Sequence, residues 1–168
     1  MGYKQDLVTW AGHKYNFHVS AQQKTIQQMQ IKRGEIYWAE LGKNVGSEQN
    51  EKRPVLIIQN DKGNRFGSTT IVAPITTSPN SGDKRAKPLP TEVIIDLIEP
   101  DTTPGVAPGT TKTLITGVIR LQQLRVLSKA RLEKLICDLN DTNLAVLNPK
   151  VVDIMPKVRR AALKSLEL

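Results

Sequence analysis

Residues 54–59 read Pro54-Val55-Leu56-Ile57-Ile58-Gln59, a continuous apolar run that contains several β-branched side chains. Its length and composition predict a strand that is buried on both faces of a sheet. Proline cannot donate to a strand ladder, so Pro54 fits only at the first position of such a strand. We therefore expect a central strand here, with covering elements on both of its sides.

Five further segments around this run have strand character. The segment 36–41 alternates apolar and polar side chains, which predicts a half-buried strand. The other segments are 69–75, 91–96, 113–119 and 121–127. Loops rich in glycine, proline or polar residues separate most of them, as expected for a small β-domain.

Helical patterns are concentrated in the last third of the chain. Ser128 is placed to cap a helix over 129–138, and Asp141 to cap a short helix that ends at Leu147. Pro156 suits the first turn of a final helix. The predicted buried face of that helix consists of Val158, Ala162, Leu163 and Leu166. Strands followed by helices predict an α+β domain, with a small, strongly bent antiparallel β-barrel and helices packed on it.

The first thirty residues differ from the rest of the chain. Residues 1–30 hold six glutamines, both histidines and four of the seven aromatic residues, with poor periodicity. We interpret them as an N-terminal extension that is poorly ordered or loosely helical, with a partner-binding arm as the alternative. Met29 precedes the first clear strand and is a second candidate for the initiator. The folded domain is therefore expected over 31–168.

The length and the net charge of the chain limit the kinds of protein that it could be. The 168 residues are typical of one domain, and a net charge of +8 favours an anionic partner such as nucleic acid. No apolar run approaches the roughly 18 residues of a membrane helix, and no secretion signal is seen, so we expect no membrane association. The single cysteine, Cys137, excludes an intramolecular disulfide and fits a cytoplasmic location.

The available side chains exclude several kinds of catalytic site. His13 and His18 both lie in the extension, which excludes a histidine-pair nuclease centre in the body of the chain. No spacing of cysteine and histidine is typical of zinc, and the acidic residues are scattered singly. We therefore expect no metal and no cofactor.

Three short segments remain as candidates for chemistry. They are Gly46-Ser47-Glu48-Gln49, Lys52-Arg53-Pro54 and Thr76-Thr77-Ser78. If the first three strands are neighbours, these segments fall at loop ends and bring together a carboxylate, a guanidinium and hydroxyl groups. Taken singly, each has an ordinary structural interpretation: a solvated loop, a charged strand end, and hydroxyls that satisfy the backbone.

Such a set can cleave RNA without a metal. The ribose 2′-OH attacks the adjacent phosphate, a carboxylate takes its proton, and a guanidinium stabilises the charge on the phosphorane. A threonine hydroxyl adds one more oriented donor. The group that protonates the leaving 5′ oxygen stays open, because arginine is a poor acid.

At these residues the sequence resembles the MazF/PemK toxins of bacterial toxin–antitoxin pairs. The matching stretches are 32–41, 46–49, 53–61, 63–66, 71–76, 123–125, 129–132 and 162–166. The resemblance implies an SH3-like or CcdB-like barrel, a homodimer, and a sequence-specific endoribonuclease that cuts single-stranded RNA, chiefly mRNA. It also implies a neutralising antitoxin as partner, with DNA bound only through an antitoxin complex.

The resemblance assigns roles residue by residue. It implies Glu48, Arg53 and Thr76 as catalytic residues, and Arg65, Thr77 and Ser78 as weaker candidates for binding RNA or for the dimer interface. Gln49 is a further candidate for RNA binding. The basic segment 83–87 follows Thr76 closely, and its Lys84, Arg85 and Lys87 are expected to contact RNA phosphates.

Some features depart from the family pattern. Gln122 stands where the family often has an acidic residue, and the segments 99–111 and 148–156 are longer than usual. Only three aromatic residues follow residue 31, so the domain has few side chains on which RNA bases could stack.

Two alternatives stay open: a gyrase-inhibiting toxin similar to CcdB, and a catalytically silent nucleic-acid-binding module. The ending Leu166-Glu167-Leu168 counts against the first, because CcdB relies on a C-terminal Trp-Gly-Ile.

Overall fold

A curled antiparallel sheet of seven strands forms the body of the protein. The computed structural model describes residues 2–22, 29–44, 46–76 and 88–166. The strands are β1 (Glu35–Glu40), β2 (Lys52–Ile57), β3 (Thr69–Thr76), β4 (Glu92–Pro100), β5 (Thr111–Arg120), β6 (Arg125–Ser128) and β7 (Leu132–Asp138). The helices are α1 (Gly2–Ala21), α2 (Asp61–Phe66), α3 (Thr142–Leu147) and α4 (Ile154–Leu166).

The strand order places β2 and β3 in the middle of the sheet. The order is β4-β5-β3-β2-β1-β7, every pair is antiparallel, and β6 pairs with the first half of β3. The edge of β3 opposite β2 thus changes partner, from β6 at Thr69–Val72 to β5 at Ile75 and Thr76. This half-barrel with C-terminal helices confirms the predicted α+β class and its strongly bent antiparallel sheet.

Two hydrophobic cores flank the central strands. Leu56 belongs to a core that α4 and the β4–β5 pair cover, whereas Val55 and Ile57 belong to a core that includes Leu127 and Leu132. All three β2 residues are fully buried, which confirms the strand predicted to be covered on both faces.

Strand β1 is buried more completely than its alternating pattern predicts. Ile36 packs in the first core and Tyr37 in the second, so the expectation of a half-buried strand is wrong. The reason is that β1 lies between β2 and β7 with a core on each face. Burial raises the pKa of the Tyr37 hydroxyl, and Glu35, which accepts its hydrogen bond, raises it further.

The helix predicted over 129–138 is wrong. Ser128 does act as a cap, accepting from the amide of Ala130, but it caps only a 3₁₀ turn over Lys129–Arg131. β7 follows and pairs with β1, with Ile36 opposite Cys137. Pairing along the free edge of β1 outweighs the local helical pattern, because it satisfies a row of backbone groups. The strand predicted over 121–127 is confirmed only in its second part: Leu121–Gln123 form a 3₁₀ turn, and β6 begins at Arg125.

The C-terminal helices follow their predicted signals in part. Asp141 caps α3 as predicted, its side chain accepting from the amide of Asn143. In α4 a narrow stripe of Ile154, Val158 and Ala161 is buried. The predicted inward positions of Leu163 and Leu166 are wrong, since these side chains are 56% and 69% exposed.

The N-terminal extension forms α1, which docks on the domain through Trp10. The indole lies against Gly42 and beneath the guanidinium of Arg131, 5.2 Å from the ring centroid. Ile31 is buried in the second core and Met29 packs against it, while the division of the chain at residue 30 stays a prediction. Among the described residues, no helix is long and apolar enough to cross a bilayer.

Candidate active site

The loop between β1 and β2, residues 41–51, carries Glu48 and is closed at its base by two backbone hydrogen bonds. The Leu41 amide donates to the Glu51 carbonyl at 3.0 Å, and the Glu51 amide donates to the Gly42 carbonyl at 2.8 Å. We call this segment the Glu48 loop. Its ends are fixed as in a hairpin, although its tip projects into solvent.

Backbone geometry at the base of the Glu48 loop is unusual. Glu51 has a φ of 63°, a left-handed conformation that costs a residue with a Cβ about 1–2 kcal/mol. Gly42 has a φ of 86°, which glycine adopts without that cost. Lys43 pairs with the Glu51 carboxylate at 2.7 Å, and this hydrogen bond lowers the pKa of the carboxyl group. The loop therefore stores local strain close to the candidate residues.

Asn44 organises the interior of the loop. Its backbone amide donates to Asn50 Oδ1 at 2.7 Å, and its side-chain Nδ2 donates to the Gln49 carbonyl at 2.8 Å. These bonds hold the backbone on either side of Glu48, whose own side chain is exposed. The Glu48 carboxylate is thus accessible to a ligand, while hydrogen bonds hold the backbone of its loop in place.

Arg53, near the start of β2, contacts the same loop. Its Nε donates to the Asn50 carbonyl at 2.8 Å, and its Nη1 donates to Gln49 Oε1. Burial lowers the pKa of Arg53, with Glu51 opposing and Arg120 adding to the effect. A guanidinium nevertheless stays charged at neutral pH. The loop that carries Glu48 therefore also orients a half-buried cation.

Thr76 ends β3 on the same side of the sheet as Arg53. β2 and β3 pair with Val55 opposite Pro74, and continuing this register by two residues sets Arg53 opposite Thr76. Opposed residues of antiparallel strands project from the same face. The structure thus brings Glu48's loop, Arg53 and Thr76 to one end of the sheet, as the sequence predicts.

Gly117 allows the close approach of β5 to Thr76. A Cβ at Gly117 would lie 2.1 Å from the carbonyl oxygen of Thr76, and the φ of Gly117 is 155°. Thr76 pairs with Val118, and its Oγ1 donates to the Val118 carbonyl at 3.5 Å. A side chain at position 117 would prevent β5 from pairing with the last residues of β3, so glycine is required there.

Two residues after β5 brace the Glu48 loop from the other side. Gln123 Nε2 donates to the Ser47 carbonyl at 3.3 Å, and Arg125 Nη1 donates to the Gln49 carbonyl at 3.2 Å. Sequence reasoning noted these residues only as part of a matching stretch and assigned them no role. Their bracing contacts span 76 positions in the chain, which no local pattern reveals.

Sequence reasoning also missed Arg120, the last residue of β5. Its charge lowers the pKa of Arg53, and Arg120 lies two residues beyond Val118, the β5 partner of Thr76. Arg120 Nε lies 3.8 Å from Glu92 Oε1, and Gln122 Nε2 donates to the same oxygen at 3.2 Å. Two neighbouring guanidinium groups favour an anionic ligand such as phosphate.

The remaining predicted residues fall in other places. The Gln49 side chain binds Arg53 and so lies within the site. Arg65 lies on α2, beyond the opposite end of β2 from Arg53, with its guanidinium 5.7 Å from the centre of the Phe66 ring. Thr77, Ser78, Lys84, Arg85 and Lys87 lie outside the described residues.

The site contains the groups needed to act on a phosphodiester. An exposed carboxylate can take a proton, and the two arginines and a hydroxyl can stabilise charge on phosphate oxygens. Within 2–22, 29–44, 46–76 and 88–166, no group of three or more His, Cys, Asp or Glu residues could hold a metal ion.

Comparison with known proteins gives concordant results. A family model described as a PemK-like, MazF-like toxin of type II toxin–antitoxin systems matches residues 32–155. Endoribonuclease EndoA of Bacillus subtilis (strain 168) is 44% identical over 117 residues, covering 67% of this chain and 84% of that protein. Endoribonuclease MazF of Staphylococcus epidermidis is 39% identical over 114 residues, covering 68% and 82%.

Solved structures show the same fold. MazF (Form-I) from Deinococcus radiodurans has a TM-score of 0.54 at 20% identity, covering 83% of this chain and 99% of that one. An endoribonuclease in complex with its cognate antitoxin, from mycobacterial species, has a TM-score of 0.52 at 20% identity, covering 82% and 96%. The chain therefore belongs to the PemK-like, MazF-like toxins of type II toxin–antitoxin systems.

Proposed function

We propose that this protein is a sequence-specific, metal-independent endoribonuclease that cleaves single-stranded RNA, chiefly mRNA. One observation carries the proposal: the guanidinium of Arg53 is held by the loop that carries Glu48, at the end of the sheet where β3 ends with Thr76. Relatives at 44% and 39% identity are named endoribonucleases, which supports the same activity here.

Each of the three residues has a role that its surroundings support. Glu48 takes the proton of the ribose 2′-OH, which attacks the adjacent phosphorus as the bond to the 5′ oxygen breaks. The products are a 2′,3′-cyclic phosphate and a 5′-hydroxyl end, once the leaving oxygen has taken up a proton. Thr76 donates a hydrogen bond from its hydroxyl to a phosphate oxygen, in place of its long hydrogen bond to the Val118 carbonyl.

Arg53 is assigned to charge stabilisation. Its Nε and Nη1 are committed to the Glu48 loop, and no acceptor within the described part of the chain binds its Nη2. That nitrogen is therefore free to donate to the phosphorane oxygens. Because the pKa of a guanidinium exceeds about 12, Arg53 is a poor source of the proton that the leaving oxygen needs.

The proposal includes partners and a location. As a toxin of this family, the protein is expected to be a homodimer that a cognate antitoxin neutralises, and to meet DNA only through that complex. A relative of the same fold was solved together with its antitoxin. Cleavage of mRNA places its action in the cytoplasm.

Incubation of the purified full-length protein with a long RNA in EDTA tests the proposal. We expect cuts at a fixed short sequence, with fragments that end in a cyclic phosphate. A gyrase-inhibiting toxin or a silent binding module would leave the RNA intact. A requirement for added magnesium would contradict the metal-independent mechanism, even if cleavage were specific.

A further inference from the structure

Helix α1 packs against the base of the Glu48 loop, and we propose that it is a positioning element for the active site, with Trp10 as its contact residue. The family model begins at residue 32, so α1 lies outside the matched segment. The inference rests on the function proposed above. It assigns a role in catalysis to a helix that touches none of the three candidate catalytic residues.

The first link runs from Trp10 to Gly42. A Cβ at Gly42 would lie 2.3 Å from Cζ2 of the indole, so the ring is in direct contact with the backbone at this position. Gly42 accepts the hydrogen bond of the Glu51 amide, which closes the loop. The indole therefore packs against the backbone of Gly42, whose hydrogen bond with Glu51 joins the two ends of the Glu48 loop.

The second link runs from Trp10 through Arg131. The guanidinium lies 5.2 Å from the centre of the indole, and Arg131 Nε donates to the Glu40 carbonyl at 2.7 Å. Burial lowers the pKa of Arg131, and the nearby charge of Arg125 lowers it further. Because Glu40 directly precedes Leu41, the Trp10–Arg131 stack holds the backbone at the point where the Glu48 loop begins.

A small cleft of about 150 Å³ separates α1 from the loop base, and residues of both line it. His13 of α1 lines this cleft, as do Lys43 and Glu51 of the loop base. Glu51 raises the pKa of Lys43 through their hydrogen bond, and the charge of Asp6 on α1 adds to this effect. One helix thus supplies an aromatic contact to Gly42 and a negative charge whose effect extends to Lys43.

The loop needs such support because its geometry is unfavourable in isolation. Glu51 holds a left-handed backbone conformation, and Glu48 is exposed on the far side of the loop. A strained residue keeps its conformation only while its surroundings enforce it. Without Trp10, we expect Glu51 to relax and the loop that carries Glu48 to lose its fixed position beside Arg53.

Amide hydrogen exchange of the full-length protein tests the structural half of the inference without RNA. In Trp10→Ala, the amides of Asn44 and Glu51 should exchange at least about tenfold faster, while amides of β2 and β5 keep their protection. Tyr15→Ala is the matched control, because this aromatic residue of α1 is 68% exposed. It should leave the loop amides unchanged.

RNA cleavage tests the catalytic half. Trp10→Ala should lower kcat roughly tenfold or more with KM within about twofold, because misplacement of a catalytic group affects the chemical step. Trp10→Phe keeps a flat ring on Gly42 and should restore most of kcat. If Trp10→Ala does not fold, Arg131→Met removes the cation over the ring and should show the same changes in exchange and kcat.

The outcomes separate the two proposals. Unchanged loop exchange in a folded Trp10→Ala, or unchanged kcat per folded molecule, would overturn the positioning role. If the wild-type protein cuts no RNA, the proposed function fails, whereas the exchange result still decides whether α1 holds the loop. A fall in thermal stability alone, with normal kcat and exchange, would show that α1 merely stabilises the fold.

Discussion

Arg53 of β2 lies opposite Thr76 of β3 when the register of the two strands is continued from the Val55–Pro74 pair. The two residues lie at the same end of the sheet because the strands run antiparallel, one starting where the other ends. Arg53 is also bound through its Nε to the Asn50 carbonyl of the Glu48 loop. The guanidinium of Arg53 therefore links the Glu48 loop to the start of β2.

Replacing Arg53 should impair catalysis more than folding. Arg53→Ala is expected to lower the cleavage rate about 10²- to 10³-fold, because a charge-stabilising donor next to the phosphate is lost. Arg53→Lys should recover only part of the rate, since an ammonium lacks the planar fork of donors. The measurement is kcat on a short RNA that contains the cleavage sequence.

Lys52→Ala is the matched control for Arg53. Lys52 is an exposed neighbour on β2 that pairs with Glu133, and its loss should leave kcat unchanged. Circular dichroism and the melting temperature report whether each variant is folded. Cleavage by a folded Arg53→Ala at the wild-type rate would show that the site is wrongly assigned.

Glu48→Gln should separate activity from stability most clearly. The side chain is exposed, so the substitution should change the free energy of unfolding by less than about 0.5 kcal/mol. The cleavage rate should fall about 10²- to 10⁴-fold, because an amide cannot accept the 2′-OH proton. Glu133→Gln makes the same chemical change on β7 and should keep full activity. Normal rates in Glu48→Gln would rule out this carboxylate as the base.

Gly117→Ala should destabilise the sheet next to Thr76. The new methyl group would meet the Thr76 carbonyl oxygen at 2.1 Å, and the backbone conformation at 117 is one that alanine disfavours. We expect a loss of about 2–3 kcal/mol, measured by urea denaturation. Any folded fraction should also cut RNA more slowly, since Thr76 is displaced.

Gly12→Ala provides the control for the glycine substitution. Apart from its chain neighbours and the backbone of its own helix, no described atom lies within 4 Å of a Cβ built at this position of α1. Alanine favours a helix over glycine by about 1 kcal/mol, so this variant should be as stable as the wild type or slightly more so. Equal stability of Gly117→Ala and the wild type would mean that β5 does not approach Thr76 as described.

Local patterns predict the central strands and much of the candidate site. The apolar run after Pro54 and the turn residues around it identify β2 and β3, and antiparallel pairing then brings their ends together. Glu48, Arg53 and Thr76 could be nominated because each stands beside a strand end. These features could be predicted because each depends on residues that are close together in the sequence.

Long-range pairing decides the features that sequence reasoning missed. β7 carries a helical pattern but becomes a strand because β1 offers it an edge. The charge of Arg120 lowers the pKa of Arg53 because the β3–β5 pairing brings the end of β5 to this side of the sheet, and no spacing in the sequence indicates that pairing. The docking of α1 depends on Trp10 meeting Gly42 across the fold. In each case the deciding partner is distant in the chain.

Cys137 provides a prediction about pH and reactivity. Burial raises the pKa of its thiol to about 12, with the charges of Asp138 and Glu99 adding to the effect. An ordinary thiol has a pKa near 8.5, so the reactive thiolate should be scarcer by about three orders of magnitude at pH 8. Iodoacetamide should therefore modify the native protein at least about 100-fold more slowly than the protein unfolded in urea.

The same shift makes stability depend on pH, with a definite sign. The folded state binds the thiol proton more tightly than the unfolded state, so Cys137 has no such effect below about pH 8.5 and lowers stability as the pH rises toward 12. The pKa of Tyr37 is raised by burial and by Glu35, which acts in the same direction. Cys137→Ala should therefore weaken, without abolishing, the fall in the urea midpoint between pH 8 and pH 10. An unchanged pH dependence in that variant, or equal alkylation rates of folded and unfolded protein, would show that the thiol is not held in its neutral form.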